Sequence, residues 1–122
     1  MKTTKVTKKN IKRISKLVEM DLQKAVSIFS GSNGNQFAYE TKKEIGIHYA
    51  TIYVTPTRKV NAYITMTAIE EVGKVCENSK WKNNMFFGVE ICNSYNKDTN
   101  SYIPIPCISV NIRIEQDDEQ QG

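Results

Sequence analysis

Histidine occurs once in 122 residues, at position 48, and this scarcity sets the first limits on function. Catalytic dyads and triads rest on a base, usually histidine, beside a nucleophile. His48 shares an alternation with Ala50, Ile52 and Val54, which predicts an inward position near a strand end and a structural role. Cysteine is equally sparse. Cys76, Cys92 and Cys107 lie 16 and 15 residues apart, with no C-x-x-C pair. Their spacing does not suggest zinc, and a Cys₃His set would need all three to converge on His48. The only neighbouring helical acids, Glu70 and Glu71, point apart and do not form a hydrolase pair. The sequence therefore predicts no enzyme, no metal and no cofactor.

Long apolar runs are missing, so no segment reads as a membrane span. The N-terminus lacks the apolar stretch of a secretory signal. Three unpaired thiols in a reducing cytoplasm are the expectation that follows. The Gly-containing stretch SGSNGNQ (30–36) follows a predicted helix and carries no Lys-Ser/Thr, which excludes a phosphate-binding P-loop and leaves a linker.

Arginine is also rare: 3 against 14 lysines. Lysine meets phosphate as a point charge, whereas arginine reads base edges through its planar fork, so a lysine-led surface favours backbone contact with little base readout. The charge is unevenly spread. Residues 1–16 hold seven cations and no acid, the body 17–114 holds ten cations and nine acids, and the tail 115–122 holds four acids. The chain is read as one domain over 1–122 with a basic leading segment 1–16 and a flexible acidic tail 115–122.

Hydrophobic periodicity supplies the fold. Residues 8–29 place Ile11, Ile14, Leu17, Val18, Leu22, Ala25, Ile28 and Phe29 in one helical arc, with Thr7 as cap and the lysines opposite. Residues 37–41 form a possible short strand, and KKEIG a turn. Alternation then predicts strands over 47–54 and 59–65, joined by TPTR. T-A-I-E at 67–70 reads as a capping box that opens a second helix. A second hairpin follows, 85–92 and 106–115, with its turn in NKDTN. The expected fold is α+β: a four- to five-stranded antiparallel sheet of two hairpins, with two helices on one face. The order is α-β-β-β-α-β-β, or α-β-β twice if the first short strand is absent.

The uncovered sheet face would then show Tyr49, Thr51, Tyr53, Asn61, Tyr63, Phe86, Glu90, Ser109, Asn111 and Arg113. Rings, amides and a cation on a solvent-side sheet are the parts of a base-stacking platform. The leading functional expectation is a non-catalytic, weakly sequence-specific binder of single-stranded DNA or RNA. Lys8, Lys9, Lys12, Arg13 and Lys16 would contact phosphate, with Tyr49, Tyr53, Tyr63, Phe86, Asn111 and Arg113 on the platform. The alternative is an accessory, inhibitory or assembly module that forms a homo-oligomer, a dimer first, through the same face. A membrane surface ranks third, because the apolar side of the basic helix is needed for the core.

Overall fold

The computed structural model describes residues 5–27, 39–57 and 62–115. The linker reading at 30–36, Ile28 and Phe29, Asn61 and the tail beyond residue 115 lie outside the described residues.

Helix α1 spans Ile11–Val26. A reciprocal pair of hydrogen bonds sets its entry: the Thr7 N–H donates to Asn10 Oδ1 at 2.7 Å, and the Asn10 N–H donates to Thr7 Oγ1 at 3.4 Å. The predicted cap at Thr7 is therefore used, one turn before the helix proper. Ile11, Ile14, Val18, Leu22 and Val26 are buried in a 3.6-residue stripe. Leu17 stands outside that stripe and is exposed, as is Asp21 at the rim.

Strands β1 (Tyr39–Ile45) and β2 (Tyr49–Pro56) form the first hairpin. The turn is therefore at 46–48, where the Gly46 N–H reaches the Tyr49 carbonyl at 2.7 Å, and KKEI belongs to a strand. Charged residues made this segment look like a turn, but β1 is an edge strand, where such residues are tolerated. Thr41 donates to Glu19 at 2.9 Å, Gln23 donates to Thr41 at 2.9 Å, and Lys43 sits 3.8 Å from Glu19; these contacts tie β1 to α1. His48 is exposed in the turn, which corrects its predicted inward position.

The larger correction concerns 59–65. Helix α2 runs Ala62–Asn78, so a third strand does not form in this region. Thr67 is an interior residue whose hydroxyl donates to the Tyr63 carbonyl at 2.9 Å, and does not cap the helix. The α-β-β unit occurs twice, though the strand that drops out is 59–65 and not the first short one. Ala68, Val72 and Cys76 are buried, with Ile64 packed against them at the same four-residue spacing. Near the far end of α2, Trp81 is buried and Lys80 lies 5.2 Å from its ring centroid.

After one 3₁₀ turn, Lys82–Asn84, come β3 (Met85–Asn96) and β4 (Ser101–Arg113), longer than predicted, with the turn at 97–100. The sheet is antiparallel with order β1-β2-β4-β3. Both helices cover the face formed by Ala50, Ile52, Val54, Ile108, Val110 and Ile112, all buried. The predicted α+β architecture of two hairpins with two helices on one face is thus the observed one.

Cysteine chemistry departs from expectation. Cys107 is disulfide-bonded and Cys76 is free and buried. The expectation of three free thiols is therefore corrected at Cys107. Cysteine spacing in sequence does not reveal which Cα atoms fold to within bridging distance. Burial pushes the Cys76 thiol up to about 11. Its thiolate fraction at neutral pH should fall by about 100-fold relative to an ordinary thiol. Disulfide-exchange reagent should accordingly modify native Cys76 at least 100-fold more slowly than the same thiol in denaturant. Equal rates would contradict its burial.

Candidate binding face

The ring-bearing side of the sheet is built by alternation. Because Ala50, Ile52 and Val54 enter the core, Tyr49, Thr51 and Tyr53 must face the other way. On β4, burial of Ile108, Val110 and Ile112 sends Ser109, Asn111 and Arg113 to the same side. Phe86 joins them from β3, directly opposite Asn111. Neither helix crosses this face.

A hydrogen-bonded row holds its centre. Asn111 Nδ2 donates to Thr51 Oγ1 at 3.0 Å, and Arg113 Nε donates to Asn111 Oδ1 at 3.3 Å. The Arg113 guanidinium lies 4.7 Å from the Phe86 ring centroid, a cation–π contact that stiffens both groups. Asn84 Nδ2 donates to the Arg113 carbonyl at 3.2 Å from the end of the 3₁₀ turn. Thr51 is buried under these neighbours, while Tyr49 and Phe86 remain half exposed. Tyr49, Thr51, Tyr53, Asn111 and Arg113, with His48, Ser109, Glu44 and Glu90, line a shallow depression of about 630 Å³.

The charges on this face are mixed. The register puts Lys42 opposite Tyr53 and Glu44 opposite Thr51 on β1, and Glu90 opposite Cys107 between β3 and β4. The Tyr53 hydroxyl is held above its ordinary value by desolvation first, then by the negative charges of Glu44 and Glu90 and by Tyr49. A phosphate would meet the same two carboxylates.

The remaining expected contacts lie elsewhere. Tyr63 is on α2 and 77% exposed, so it is not part of the ring platform. The predicted strand had carried it there. Lys8, Lys9, Lys12, Arg13 and Lys16 are all exposed on the lead-in and outer side of α1, whose buried stripe faces the sheet. The basic row and the rings thus occupy opposite sides of the molecule. None of the five makes an ion pair among the described residues. The structure brings together Tyr49, Tyr53, Phe86, Asn111 and Arg113, and separates them from the cations and from Tyr63.

Sequence reasoning missed Lys42 and Glu44, because it placed them in a turn. The consecutive charges at 42–44 carry no polar–apolar alternation, so the sequence offered no signal for them. Among the described residues no group of three His, Cys, Asp or Glu side chains is placed to hold a metal ion, and no helix is long and apolar enough to cross a membrane. No protein-family model, curated protein or solved structure matches this chain, so the reading of the face rests on its own geometry.

Proposed function

We propose that this chain is a non-catalytic binding protein whose bare sheet face docks another protein. One observation carries the reading: the half-exposed rings of Tyr49 and Phe86 flank a pre-ordered Thr51–Asn111–Arg113 row, with Glu44 and Glu90 beside it. Rigid aromatics and an arginine held in place lose little side-chain freedom on binding, and residues of these types dominate protein interfaces. Charges of both signs around the rings suit a protein surface, and Glu44 and Glu90 disfavour a polyanion there.

The exposed cations of α1 favour a second reading, a single-stranded nucleic acid. A strand gripped by both features would have to wrap around an edge of the sheet.

Two measurements separate these readings. The first is anisotropy of a labelled 20-nucleotide single strand against nuclease-treated protein over a range of salt. The protein-docking reading expects no saturation at roughly 100 μM protein, in the range of the weakest non-specific binding. The nucleic-acid reading expects binding whose log affinity falls with log salt by about 0.7 per phosphate contact. The second is capture at high salt by wild type and by a Tyr49→Ala, Tyr53→Ala, Phe86→Ala variant. A protein retained by the wild type and lost from the variant supports docking on this face. Equal retention, or salt-dependent binding of the strand, sinks it.

A further inference from the structure

The two edges of the sheet are treated differently by the sequence. β1 is guarded by Glu40, Lys42, Lys43 and Glu44, four charges in seven residues. β3 has twelve residues and a single charge, Glu90. It pairs one-to-one with β4 from 85 to 96, with no bulge, and contains no proline or lysine. Soluble proteins ordinarily blunt an exposed edge with one of those devices. Here none is used, and among the described residues one row of backbone donors and acceptors along β3 has no neighbouring strand.

The side chains along that edge are also unusual. Met85, Phe87, Val89 and Ile91 all fall on the helix side of the sheet. Only Met85 is buried. Phe87 is 43%, Val89 48% and Ile91 68% exposed. The Phe87 ring reaches α2 at Gly73, where an added Cβ would stand 3.2 Å from the ring, but the strand continues past this contact.

We propose that the free edge of β3 pairs antiparallel with β3 of a second copy, across a two-fold axis at Val89. The sheet then continues through the axis as eight strands. In antiparallel pairing, directly opposite residues share a face, so a two-fold pair must centre on one residue. Centred at Val89, the helix-side row becomes Phe87 against Ile91 of the second copy, Val89 against itself, and Ile91 against Phe87. These are aromatic–aliphatic cross-strand pairs of the stabilising kind. On the other face each Glu90 meets Gly88 of the second copy, and Gly88 has open space where a Cβ would stand. This register keeps the two carboxylates from lying directly opposite each other. A foreign strand would satisfy the backbone but would lack this reciprocity. With about seven residues of ladder and three apolar side chains from each copy, the contact removes on the order of 1,000 Å² from water, enough for a specific interface. Both helix layers lie on one side of the dimer, and both ring-bearing faces lie on the other. The pairing does not depend on what those faces bind.

The test is sedimentation velocity with oxidative cross-linking. Wild type should sediment as a dimer at 100 μM. Val89→Lys, a change at a half-exposed position, should raise the dimer dissociation constant at least tenfold while keeping the wild-type circular dichroism and, at a concentration low enough for both proteins to be monomeric, the wild-type unfolding midpoint. Copper-phenanthroline oxidation should link Val89→Cys into a dimer on a non-reducing gel. It should leave Ile91→Cys unlinked, because that residue and its counterpart sit about four ladder positions apart, beyond disulfide reach. Lys42→Cys on the other edge should also stay unlinked. A monomeric wild type, or a dimer indifferent to Val89→Lys, overturns the proposal. So does linkage of Ile91→Cys in place of Val89→Cys.

Discussion

Replacing Val110 by aspartate is expected to unfold the protein, and replacing its neighbour Ser109 by aspartate is expected to leave it folded. Both residues lie on β4, an interior strand flanked by β2 and β3. Val110 is fully buried, opposite Ile52 on one side and Phe87 on the other. A carboxylate there faces the apolar underside of the helices. Burying an unpaired charge costs several kcal/mol, or costs the neutralisation of the acid instead. Against a total stability of about 5–15 kcal/mol for a domain of this kind, a loss above about 4 kcal/mol leaves little margin. Ser109 points to the bare face, opposite Gly88 and Tyr53. Its substitution should cost within about 1 kcal/mol, mostly from repulsion by nearby carboxylates. Urea unfolding followed by circular dichroism measures both. Similar losses in the two variants would mean that the faces of β4 are wrongly assigned, and the binding face would lose its foundation.

Ala68→Pro is expected to be nearly as damaging, and Ala62→Pro to be tolerated. Had the second helix begun at its apparent capping box, position 68 would be its first residue, where proline is favoured. In the structure the helix begins at Ala62, so Ala68 lies in its second turn and is fully buried. Proline there removes a backbone hydrogen bond and clashes with the carbonyl four residues earlier, at a cost of about 3 kcal/mol or more. At Ala62 the N–H has no intrahelical partner to lose. Thermal unfolding should therefore show a fall of about 10 °C or more for Ala68→Pro, given a few degrees per kcal/mol at this chain length. For Ala62→Pro it should show little change. The opposite order would restore the strand reading of 59–65.

The misreading at 59–65 has an identifiable cause. Val60, Ala62 and Ile64 alternate as in a strand, while Ile64, Ala68, Val72 and Cys76 recur every fourth residue as in a helix. Local pattern does not choose between the two periods over so short a stretch. The choice follows from burial: Ile64 packs against the same core as Ala68 and Val72, and only a helix presents all three on one side. β1 failed for the opposite reason. Its lysines and glutamates carry no inward pattern, and it becomes a strand because β2 offers a hydrogen-bonding edge and Glu19 on α1 receives Thr41 and Lys43. The binding face was more legible. Tyr49, Tyr53, Phe86, Asn111 and Arg113 follow from alternation on strands whose inner residues are strongly apolar, whereas Tyr63 moved away with its helix.

By itself the sequence determined the α+β class, the stripe of α1 and the inside and outside of β2, β4 and the start of β3, because periods of 3.6 and 2 force apolar residues to one side. Tertiary structure alone decided that 62–66 belongs to the second helix, that Cys107 is bridged, that the basic row and the rings look in opposite directions, and that β3 has a free edge among the described residues. Each of these depends on which segments become neighbours, and neighbourhood across tens of residues leaves no periodic trace in the chain.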